Sequence, residues 1–167
     1  MGALRVVPAG DPLRIQGESM AGALVVPAFA PDGSLQSLQC VTTGDTAARL
    51  KAKGKKPKLN LPGAPMAGAS FTVGALVPGA PVALCEGIGQ AWACWQATGN
   101  AAVVCFGWGN VGKVAAALRQ RDAAARLVLL PDVGKEESAA EIAQAVGCAV
   151  AYMPQGEAQN FDANDLA

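Results

Sequence analysis

At 167 residues, 51% apolar and 16% charged, the chain is sized for about one domain with at most a small annex, and its composition argues for a compact soluble fold rather than disorder. No apolar run approaches the roughly 18 residues of a membrane span, and the opening MGALRVVPAGDPLR lacks the apolar centre and cleavage site of a secretion signal, so a cytoplasmic protein with no membrane partner is expected. Net charge is zero, there is no histidine, and no two of the five cysteines have C-x-x-C spacing, which argues against zinc and for buried, reduced thiols.

In chain order, residues 1–20 show little periodicity, are broken up by Pro8, Gly10, Pro12 and Gly17, and read as a lead-in with no element assigned. Two strand-like runs, 23–29 and 35–42, flank Ala30-Pro31-Asp32-Gly33, which predicts a β-hairpin. A basic stretch follows. Arg49, Lys51, Lys53, Lys55, Lys56 and Lys58 fall within ten residues without an acid, and Gly54 and Pro57 argue for a loop rather than one long helix. Residues 69–73 suit one more strand, and Pro78-Gly79 closes this β-rich portion, 1–78.

From 79 to 167 the pattern changes to alternating strands and helices. Short apolar runs at 83–85, 102–106 and 127–130 look like strands buried on both faces. Between them, 88–97 and 111–120 repeat apolar residues at helical spacing, and Trp92 and Trp95, three apart, read as core. A third helix is expected over 136–146, stopped by Gly147, then a fourth strand over 148–153. The end, QGEAQNFDANDLA, reads as a polar tail unless it folds back onto the functional edge. From Asp132 onward there are seven acids and a single lysine, so the two ends of the chain suit partners of opposite charge.

Two motifs compete for the function. Gly107-Trp108-Gly109-Asn110-Val111-Gly112 is a complete G-x-G-x-x-G between a strand and a helix, with Asp132 ending the next strand, as in dinucleotide-binding folds. Against it, a strand and helix precede the motif, and the chain after Asp132 is too short for a second mononucleotide half. The other reading starts from Glu86 and Asp132. Parallel strands joined by crossover helices put their carboxyl ends on one edge, so both acids belong at one rim. Paired carboxylates there suit a divalent cation.

The stretches CEGIGQAWACWQATG (85–99), VVCFGWGNVGKVAAALR (103–119), RLVLLPD (126–132), SAAEIAQAVG and the terminal FDANDLA carry a resemblance, in that order and spacing, to the Toprim domain of DNA primases. The primase-like proteins of plasmids, phages and integrative elements are the nearest in character, and ALVVPAFAPDGSLQSLQCV (23–41) is similar to what precedes their Toprim domain. The resemblance implies a Toprim-like α/β fold with about four mainly parallel strands and helices on both faces, preceded by a small β-rich subdomain. It implies metal-dependent nucleotidyl transfer, primer synthesis on a DNA template in replication of a mobile element, with Mg²⁺ (or Mn²⁺) as cofactor. DNA and nucleotides would be the partners, with helicase or zinc-binding modules in a larger protein. Glu86 matches the family's glutamate, a general acid/base or metal-linked group, and Asp132 the first acid of its metal-binding Asp-x-Asp. Val133 and Gly134 follow, so the second Asp is absent; Glu136 is the candidate replacement, the alternative being a module that binds metal and nucleic acid without catalysis.

Supporting roles are expected from Gly109, Asn110 and Lys113 at a helix start, facing phosphate, Asn110 being equally an N-cap. Trp108 is the candidate for base stacking. The cluster Lys51, Lys53, Lys55, Lys56 and Lys58 would contact nucleic-acid phosphates.

Overall fold

The computed structural model describes residues 4–166. The chain forms two compact units, Met1–Met66 and Ala67–Ala167. The first contains β1 (Arg5–Val6), β2 (Arg14–Ile15), β3 (Glu18–Ser19), β4 (Leu24–Phe29), β5 (Leu35–Val41), α1 (Gly44–Ala52) and β6 (Lys58–Asn60). β4 and β5 form the expected hairpin, and β1 and β6 flank them in one antiparallel sheet. Its turn follows from Asp32, whose Oδ1 accepts from the Ser34 N–H (2.9 Å) and hydroxyl (2.7 Å), and from Gly33 at φ +86°.

Two expectations for this unit are corrected. The described part of the lead-in is structured: β1 pairs with β4, β2 with β3, and Val7, Ile15 and Met20 join Ala23, Cys40, Leu50 and Leu59 in one core. Residues 1–3 lie outside the described residues. The basic stretch is not a single loop either. Arg49 and Lys51 ride on α1 and Lys58 on β6, because Leu50 and Leu59 between them are drawn into the core. Gly54, at φ +67°, turns the chain after α1.

The second unit holds β7 (Phe71–Val73), β8 (Pro81–Cys85), α2 (Ile88–Thr98), β9 (Ala102–Val104), α3 (Trp108–Arg121), β10 (Arg126–Leu129), α4 (Glu136–Val146) and β11 (Ala149–Val150). The sheet order is β11-β10-β8-β9-β7, with β11, β10, β8 and β9 parallel to one another and β7 antiparallel to β9. Since β7 belongs to this sheet, the unit begins at Ala67, ahead of the division expected after residue 78. Val82, Leu84, Val103, Leu127 and Leu129 turn one face of the sheet towards Val111, Val114 and Ala115 of α3 and Ala139 of α4. On alternate positions the strands face α2, whose Ile88, Ala91 and Cys94 are buried.

The expectation that Trp92 is core is overturned. Trp92 is 41% exposed, its ring 5.3 Å from that of Trp95. Trp95 is half-buried over Gly74, where an added Cβ would lie 2.6 Å from the indole, so only glycine fits. All five cysteines are free thiols, and burial pushes the pKa values of Cys40, Cys105 and Cys148 up. Among the described residues no helix is long and apolar enough to cross a membrane.

Candidate active site

β8 and β10 are neighbouring parallel strands, Leu84 opposite Leu129, and Glu86 and Asp132 lie just beyond their carboxyl ends. The chain leaves β8 into α2 on one face and β10 into α4 on the other. Two adjacent strands whose connections depart to opposite faces leave a crevice between their ends, and this is where ligands of open α/β sheets bind. Glu86 is half-buried and Asp132 is 9% exposed.

One side chain ties the two ends together. The buried Gln90, in the first turn of α2, accepts the Glu86 N–H on Oε1 (2.9 Å). Its Nε2 donates to Leu130 O (3.1 Å) and to Asp132 Oδ1 (3.3 Å). Sequence reasoning missed Gln90; the available signal was a polar residue on the same helix as the inward-facing Ile88, Ala91 and Cys94.

The C-terminal segment returns to this rim. Val133, next to Asp132, exchanges two backbone hydrogen bonds with it, donating to Phe161 O and accepting from the Asn160 N–H, both 3.0 Å. Asn164 Oδ1 lies 3.3 Å from where a Cβ on Gly89 would stand, so the segment also covers the start of α2. Asp162 and Asp165 close its turn: Asp162 Oδ1 accepts from the Asn164 N–H (2.6 Å) and Asp165 Oδ2 from the Asp162 N–H (3.0 Å).

Several predicted site residues have other work. Both carboxylate oxygens of Glu136 accept from the Gly134 N–H at 2.9 Å, which lowers its pKa. Gly134 sits at φ +92°, so the position where the resemblance calls for a second acid has a backbone that disfavours any side chain. Asn110 is neither phosphate-facing nor an N-cap. Its Oδ1 accepts from the Gly68 N–H (2.7 Å), and its Nδ2 donates to Ala69 O (2.9 Å) and Cys105 O (2.8 Å), stapling the approach to β7 onto the end of β9. Trp108, the candidate for base stacking, is partly buried: its indole packs on the α3–α4 core and its Nε1 donates to Ser138 Oγ at 3.0 Å. Gly109 and Lys113 are exposed on the first turns of α3, which starts at the same sheet edge.

In the first unit, Arg49, Lys51, Lys53, Lys55, Lys56 and Lys58 are all exposed. Lys53 Nζ is nevertheless committed to Glu18 Oε1 at 2.6 Å, with Arg49 3.9 Å from the other oxygen. The Lys53 hydrogen bond, helped by the charges of Lys53, Arg49 and Lys55, holds the Glu18 carboxyl below its usual range.

The dinucleotide reading fails on topology. It needs the acid on the strand beside β9, but β8 intervenes, putting Asp132 about two strand spacings (roughly 9.5 Å) away. The Gly107 N–H is also taken, donating to Glu86 O at 3.0 Å. No protein-family model and no curated protein matches the chain by sequence. Solved structures do match. The RNA polymerase domain of Mycobacterium tuberculosis primase DnaG, in complex with a double-stranded DNA oligomer with a 6-nucleotide overhang, aligns at TM-score 0.62 and 18% identity over 87% of this chain and 49% of that one. A DNA primase domain from Pseudomonas aeruginosa aligns at 0.54 and 14% identity, over 86% and 46%. The primase fragment of the bacteriophage T7 primase-helicase protein aligns at 0.53 and 14% identity, over 90% and 57%. The fold is primase-like. The chain spans about half the length of each of these structures.

Proposed function

We propose that this chain is the Toprim-type core of a primase-like protein, acting in metal-dependent nucleotidyl transfer on a DNA template during replication of a mobile element. The observation that carries the reading is the pair Glu86 and Asp132 at the switch-point crevice, linked through Gln90, in a primase-like fold. Among the described residues no three acidic or thiol side chains form a ready-made metal cluster. Two hard carboxylates still fit Mg²⁺ or Mn²⁺, which are commonly held by one or two such groups, the rest of the shell being water and substrate phosphate. When bound, the ion would supply positive charge to the phosphate oxygens of the reacting nucleotide.

In this scheme Asp132 holds the metal and Glu86 takes or gives the proton at the reacting oxygen. Gly109 and Lys113 at the start of α3 steady phosphate on the same edge, and the exposed lysines of the first unit engage the template backbone. Glu86→Gln should lower ribonucleotide incorporation on single-stranded template at least ~100-fold while template binding is kept. Unchanged incorporation would sink the catalytic role. A second reading, binding without catalysis, is favoured by one feature: Gly134 and the exposed Glu136, whose carboxylate is taken by the Gly134 N–H, leave the second acidic ligand unsupplied. Wild-type protein that binds Mn²⁺ and DNA yet incorporates nothing would decide for it.

A further inference from the structure

We infer that Gln90 is a positioning residue of the metal site, a bracket that fixes Asp132 and the end of β8 as one unit; the inference rests on the reading of Glu86 and Asp132 as metal-holding groups. A carboxamide has one acceptor and one two-proton donor end, and here the network decides which points where. Rotating the amide by half a turn would set its NH₂ against the Glu86 N–H and its oxygen against both Leu130 O and the Asp132 carboxylate. Three attractive contacts would become three repulsive ones, so one orientation is enforced. Gln90 is 2% exposed, and water does not compete for these bonds.

The consequence for the site follows from which atoms are used. Asp132 Oδ1 receives the Gln90 donor, which restrains the rotation of the carboxylate. The same amide holds the main chain of Glu86, so the end of β8 and Asp132 cannot drift apart without breaking the Glu86 N–H bond or the buried bond to Asp132. Two carboxylates left near each other would otherwise separate by repulsion when no cation is present. Gln90 keeps the pair assembled in advance, and metal binding then requires little rearrangement.

The test compares Mn²⁺ affinity, read by electron paramagnetic resonance on the nucleotide-free chain, in wild type, Gln90→Met, Gln90→Leu and the core control Val114→Ala. Gln90→Met and Gln90→Leu add no charge and keep much of the volume, but remove both the acceptor for Glu86 and the donor to Asp132. Each Gln90 variant should weaken Mn²⁺ binding roughly tenfold or more. Val114→Ala, which loosens the core on the α3 face, should leave it unchanged while still folded. Wild-type affinity in both Gln90 variants would overturn the bracket and leave the metal site standing. No Mn²⁺ binding by the wild type would overturn the metal reading itself, and the role of Gln90 with it.

Discussion

Asn110 illustrates how a polar residue at a helix start serves structure rather than a ligand. Its carboxamide makes three bonds to main-chain groups, Gly68 N–H, Ala69 O and Cys105 O, of which Ala69 and Cys105 are fully buried. Asn110→Ala would leave those groups without the partner, at a cost of about 1 kcal/mol or more each, so urea unfolding should report a loss of about 3 kcal/mol. Nucleotide binding, measured well below the melting temperature, should be retained. Intact stability together with lost nucleotide binding would return Asn110 to the phosphate-facing role. Gly134 teaches the complementary lesson. An acid inserted there to complete the second metal ligand must adopt φ near +92°, so the simplest repair of the site is opposed by the backbone.

Among the elements, the central strands and their helices were legible because each carries its own pattern. The apolar runs of β8, β9 and β10, the periodicity of α4, and Gly147 in the left-handed conformation at its end all state their identity locally. The shared rim of Glu86 and Asp132 was legible too, since parallel connections force it. What no local pattern encodes is partnership. Phe71-Thr72-Val73 reads as a strand, but only the assembled sheet shows that it pairs with β9 and so moves the boundary of the unit. Gln90 looked like any polar helix residue until Leu130 and Asp132 were placed opposite it. The terminal segment lacks apolar periodicity, and its docking depends on two backbone hydrogen bonds to Val133 and the fit of Asn164 over Gly89. Removing residues 160–167 should therefore expose the Val133 amide, seen as faster hydrogen exchange there, and lower stability by about 2 kcal/mol. If Val133 stays as protected as in the full chain, the segment does not hold the rim.

For the whole molecule, zero net charge conceals a division of labour. The first unit has eight basic and four acidic residues, the second five and nine. A net positive unit suits a polyanion and a net negative one, with carboxylates at its crevice, suits a cation. Within the first unit the charges are not equivalent, because Lys53 and Arg49 are partly neutralised by Glu18, whereas Lys55 and Lys56 stand exposed on the connection between α1 and β6. Each lysine that sits on a single-strand phosphate releases counterions on binding, adding about 0.7 to the steepness of log affinity against log salt. Replacing Lys55 and Lys56 together by Ala should therefore reduce that slope by roughly 1.4 and weaken single-stranded DNA binding most at low salt, without loss of stability. Titrations of both proteins over a range of salt concentrations measure the two slopes directly. Parallel lines would mean these lysines only solvate the connection, and the template contacts would then have to come from Lys51 and Lys58 on the flanking helix and strand.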